Sequence, residues 1–99
     1  MEILTLTDGY ENREVSQYRY LTPDEALKLT YRETVYFRAI DGTAKRCRVS
    51  GKVRTWKRNA ARIELPVKFG LYQSATMVAR NGRMEEWGGS GAVLLVKVG

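Results

Sequence analysis

The chain has 99 residues, of which 43% are hydrophobic, 10% aromatic and 28% charged, with a formal net charge of +6. That length and balance suit one globular domain over residues 1–99 and not a disordered tail. One cysteine and no histidine exclude an internal disulfide, a Cys/His zinc site within one chain and every His-based triad.

The opening residues, MEILTLTDGY, have neither the basic segment nor the apolar stretch of a signal peptide. Ile3 to Thr7 read as a first strand, ended by Asp8-Gly9. Residues 10 to 16 are polar and read as a loop, and Gln17 to Leu21 as a short second strand.

A helix start follows. Thr22 is placed to cap, Pro23 suits the first helical position, and Glu25 stands three residues after the cap. The helix is expected to run to Leu29 or Tyr31, with Leu27 and Tyr31 one turn apart and covering one end of a sheet or barrel.

Next come two strands around Asp41-Gly42. Val35, Phe37, Cys47 and Val49 are the apolar positions and all are odd-numbered. A three-residue loop pairs odd with odd, so such a loop is expected, with Gly42 in the left-handed region. Tyr36, Arg38, Arg46 and Arg48 then share the opposite, solvent face. The stretch KVRTWKR, residues 52 to 58, reads as a third strand with Val53 and Thr55 inward and Arg54, Trp56 and Arg58 outward. Cys47 is expected in the core, away from its flanking arginines.

Residues 62 to 65 read as a strand whose following Pro66 implies an edge or a bulge. Asn81-Gly82 marks a hairpin. Glu85 and Glu86 are adjacent, hence on opposite faces, and make a poor acid/base pair. Trp87 reads as a rim residue closing the barrel. The final apolar run, residues 92 to 96, is too short to cross a bilayer, and residues 92 to 98 read as a mostly buried closing strand. The fold class expected is mainly β (a β-rich α+β chain): a small antiparallel SH3-like or OB-like barrel with one short helix.

The charge is uneven. Residues 34 to 84 carry twelve Lys/Arg against two Asp/Glu, a net of +10, whereas residues 1 to 33 carry a net of −3. A basic block of this kind points to an anionic partner. Tyr36, Arg38, Arg46, Arg48, Arg54, Trp56 and Arg58, on what read as three consecutive strands, form the candidate nucleic-acid-binding face. The arginines suit phosphate, and Tyr36 and Trp56 suit stacking on bases. The competing reading is that these cations only dress the solvent face of a sheet while Trp56 packs inside.

The expectation is therefore a non-catalytic module binding RNA or DNA, with no catalytic residues, no cofactor and no metal. The alternative is a small protein-interaction adaptor or inhibitor, of the kind carried by viruses or mobile elements, docking on an acidic surface of a protein partner. An exposed apolar edge near Leu71, Tyr72 and Met77 would mark that alternative. A cytoplasmic protein without membrane contact is expected, as a monomer or a small homo-oligomer.

Overall fold

The computed structural model describes residues 2–9, 14–56, 59–70 and 73–98, with residues 56 and 59–61 described by their backbone only. The elements in chain order are β1 (Leu4–Thr7), β2 (Val15–Tyr20), α1 (Pro23–Ala26), β3 (Thr34–Arg38), β4 (Ala44–Val49), β5 (Arg54–Trp56), β6 (Asn59–Lys68), β7 (Ser74–Arg80), β8 (Arg83–Glu86) and β9 (Val93–Lys97). Neighbouring strands pair antiparallel in the order β1-β2-β9-β3-β4-β6-β7-β8, and β8 returns to β9 through Glu85 and Val93. Six strands, β9-β3-β4-β6-β7-β8, thus close a small barrel of the SH3-like or OB-like kind. Among the described residues no helix is long and apolar enough to cross a membrane.

The turns follow from local chemistry. Between β3 and β4, the Ala39 amide donates to the Thr43 carbonyl at 2.8 Å and the Gly42 amide to the Ala39 carbonyl at 3.0 Å. Gly42 sits at φ +86°, which glycine reaches without a Cβ penalty. This is the three-residue loop that parity demands, and it sets Val35 opposite Cys47. Between β7 and β8, Arg80 pairs with Arg83, and Asn81 and Gly82 have φ +56° and +73°. Two successive positive φ values make the type I′ turn that matches the twist of a hairpin.

Helix α1 begins as its sequence dictates. The Thr22 hydroxyl accepts from the Glu25 amide, and the Glu25 carboxylate accepts from the Thr22 amide at 3.0 Å. Glu25 also takes both terminal nitrogens of Arg19, at 2.7 and 2.6 Å. The helix ends at Ala26, sooner than expected, and the chain then turns through Arg32 at φ +72°. Leu27 and Tyr31 therefore never align on one helical face; they stay 42% and 62% exposed, and the barrel end is closed by Leu21 and Ala26.

Two cores share one wall. Val35, Phe37, Cys47, Val49, Ile63, Leu65, Val67, Met77, Met84 and Leu94 fill the barrel. On the other face of β9, β3 and β4, Leu95 and Ala44 are buried with Tyr18, and Leu4, Leu6, Tyr20 and Tyr36 pack against them. The sheet curls until β1 meets β4: Asp8 bridges Ala44, and the Gly9 amide donates to the Ala44 carbonyl at 2.8 Å. A Cβ on Gly9 would stand 2.7 Å from both Thr43 Oγ1 and Lys45 Cγ, so this approach needs glycine.

Two outcomes are expected. Leu94 and Leu95 are each 0% exposed on opposite faces of β9, so Leu94→Ala and Leu95→Ala should each cost about 2–5 kcal/mol in urea unfolding; a near-neutral Leu95→Ala would contradict the second core. Glu25 is held at a pKa of about 2, first by the Arg19 hydrogen bonds and then by those from Thr22. Its folded pKa is depressed, so its contribution is full above the ordinary carboxylate range near 4.5 and is lost as pH falls toward 2. Glu25→Gln should flatten that part of the stability profile, and urea midpoints of wild type and variant that fall in parallel between pH 6 and 3 would contradict it.

Candidate nucleic-acid interface

Sheet order decides which cations meet. With Val35, Cys47, Val67 and Leu65 facing the barrel core, alternation sends Thr34, Arg46, Arg48 and Lys68 to the outer wall. Thr34 pairs with Arg48, Arg48 with Lys68, and Lys68 with Ser74, forming one row across β3, β4, β6 and β7. The β4–β6 ladder has two paired positions, Arg48–Lys68 and Val49–Val67, and beyond Lys68 the strands part. A cleft of about 620 Å³ opens there, lined by Thr34, Arg46, Arg48, Lys68, Phe69 and Gly70. The Phe69 ring lies 4.9 Å from that of Phe37 and forms the apolar side of the cleft.

Arg48 and Lys68 are both exposed, and neither side chain makes an ion pair or hydrogen bond with a described residue. Like charges directly opposite each other in adjacent strands destabilise a sheet. Lys68 was absent from the set read in the sequence. Its signal is the alternation Arg62, Glu64, Pro66, Lys68, which continues outward through the proline, because β6 runs on to Lys68 and does not stop at Leu65.

The strand β5 corrects a second expectation. It pairs with β6, not with β4, so the three basic strands are consecutive in sequence but not in the sheet. Pro66 marks the point of exchange. Its carbonyl accepts from the Ser50 amide at 3.0 Å, so its own nitrogen faces the gap where β6 leaves β4 and takes up β5. There a missing N–H costs no ladder bond. Gly51 passes close by; a Cβ there would lie 3.1 Å from Pro66 Cγ.

A second cleft of about 570 Å³ follows, lined by Gly51, Lys52, Val53, Arg54, Glu64, Pro66 and Thr76. Arg54 is exposed and stands opposite Glu64, which is bonded to Arg62 at 3.2 Å. Val53 packs against the core, whereas Thr55 is exposed despite pairing with Ile63. The register shifts between Thr55 and Trp56, so parity no longer fixes the direction of Trp56. The side chain of Trp56, and Arg58 with its neighbour Lys57, lie outside the described residues.

The other end of the expected solvent face is covered. Tyr36 stands opposite Arg46, but it is half-buried and meets Tyr18 edge-on, with ring centroids 5.4 Å apart. Arg38 donates to the Tyr20 hydroxyl at 3.2 Å and lies over its ring at 5.7 Å, while Arg83 covers the same ring at 3.8 Å and pairs with Glu2 at 3.5 Å. Tyr36 and Arg38 therefore belong to the packing of β1 and β2 on the shared wall. The reason is tertiary: β2 adds to β9, and the curl brings β1 over β3.

Among the described residues no group of three or more His, Cys, Asp or Glu side chains could hold a metal ion. Trp87, expected at the closed rim of the barrel, is 64% exposed and packs against neither core.

Cys47 borders the first cleft but is 3% exposed, and burial pushes its thiol up to about 12. The thiolate is the reactive form, so iodoacetamide at pH 8 should leave the native protein unlabelled and label it in urea. Rapid labelling of the native protein would contradict the placement of this side chain.

Neither a family model, nor a curated protein, nor a solved structure matches the chain at a significant level, so the functional reading rests on this geometry and on the chemistry of its residues.

Proposed function

We propose that the protein is a non-catalytic binding module that holds RNA or DNA by its phosphates on the outer wall formed by β4, β6 and the segment entering β5. The observation that carries this reading is the Arg48–Lys68 pair, two exposed cations face to face across adjacent strands at the mouth of a cleft. A bound phosphate relieves their repulsion, and displacement of condensed counterions favours the complex. Arginine adds a planar fork that matches phosphate oxygens.

Arg46 and Arg54 join this pair from the sequence-derived set, and Lys68 and Lys52 are added to it. Trp56 and Arg58 follow Arg54 in the chain and keep their assigned roles in stacking and phosphate contact. Contacts of this kind fix position on the backbone and carry little base sequence information. The adaptor alternative asked for an apolar edge near Leu71, Tyr72 and Met77; Met77 is 1% exposed, and the other two lie outside the described residues.

The test is fluorescence anisotropy with labelled single-stranded DNA, duplex DNA and RNA across a salt series. Wild type should bind at least one probe with a steep salt dependence, and Arg48→Ala with Lys68→Ala should weaken that binding about tenfold or more at 0.1 M salt, since each lost phosphate contact also forfeits counterion release. Absence of binding to all three probes at low salt would overturn the reading and direct attention to a protein partner.

A further inference from the structure

We infer that the occupant of this wall is one single nucleic-acid strand, lying along β6 from the Arg46–Arg48–Lys68 cleft to the Lys52–Arg54 cleft; the inference rests on the reading above and names its substrate class. The two clefts are on the same outer wall. Lys68 lines the first, and Glu64 and Pro66 line the second. The row through Lys68 and the row through Glu64 are four residues apart on β6, about 13 Å at roughly 3.3 Å per residue. Glu64, the one acid on this path among the described residues, is engaged by Arg62 and faces Arg54.

The width of the cationic strip is what selects a single strand. On the β7 side, Lys68, Pro66 and Glu64 are paired with Ser74, Thr76 and Val78, none of which is charged. One strand further, Val78 is paired with Glu85, so about 10 Å from β6, at a strand spacing of about 4.8 Å, the wall presents an acid. On the other side, Arg48 is paired with Thr34, and the neighbouring Tyr36 is half-buried. The cations of the β7–β8 hairpin do not fill the gap. Arg80 is two residues beyond Val78, at the hairpin tip, and Arg83 is engaged by Tyr20 and Glu2.

A duplex presents two backbones across grooves about 6 and 12 Å wide. With one backbone on the strip, the second would fall toward Glu85 or on Thr34, where it gains no counterion release. A single strand lies wholly on the strip and leaves its bases free to reach Phe69, which lines the first cleft.

The experiment compares oligo-dT and oligo-rU of about 4 to 16 nucleotides, the range of sites on small barrels, with a blunt duplex of the same charge, using wild type, Arg48→Ala/Lys68→Ala and Lys52→Ala/Arg54→Ala. All four side chains are exposed, and circular dichroism confirms that each variant folds. Single strands should bind at least tenfold tighter than the duplex at equal salt. Each double variant should lower the single-strand salt slope by roughly 1.4, at about 0.7 per lost phosphate contact. A duplex that binds as tightly as the single strands overturns the inference and leaves the broader reading standing. A slope that falls in the first variant only overturns the path along β6. No binding of any probe overturns both.

Discussion

The structure depends on a wall that is dry on both faces. Adjacent residues of a strand point to opposite sides, and in β9 the neighbours Leu94 and Leu95 are both fully buried. Leu94 faces the barrel and Leu95 faces the smaller core under β1 and β2. Such double burial is usual for a strand covered on both faces and unusual for one side of an antiparallel barrel. At about 1.5–3 kcal/mol for each large apolar side chain buried, the second core is a substantial part of what holds the N-terminal strands in place. Because β9 pairs with β3, β8 and β2, the last strand of the chain organises both layers.

The second core also divides the basic surface. Where β1 and β2 lie, the outer wall of β3 becomes interior, and Tyr36 and Arg38 are spent on Tyr18 and Tyr20. Where they do not lie, the same wall remains open along β4 and β6. The open part collects cations from separate segments, because β6 changes partner at Pro66 and holds β4 at one end and β5 at the other. A proline inside a long strand is thus not a defect here. It stands at the one point where the ladder has no bond to lose on that edge.

Much of this was legible locally. The capping box at Thr22 and Glu25, the left-handed Gly42 and the Asn81-Gly82 turn are set by bonds between residues a few positions apart, so the sequence alone specifies them. The inward positions of Val35, Phe37, Cys47 and Val49 follow from a period of two, and with them the shared side of Arg46 and Arg48. The barrel architecture itself was readable from the run of short alternating strands and a closing apolar segment. The end of α1 was not, since four helical residues give too little local free energy to override the packing of Leu21 and Ala26.

What the sequence by itself determined, then, is the turns, the facing of each hairpin and the basic middle of the chain. Only the tertiary structure decided which strands became neighbours: β6 and not β5 beside β4, β1 and β2 across the far end of β3, Lys68 opposite Arg48. The physical reason is that every strand edge offers the same N–H and C=O groups to any partner. Hydrogen bonding alone does not discriminate among them. The choice is made by burial summed over the whole sheet, a quantity that no short stretch of the chain contains.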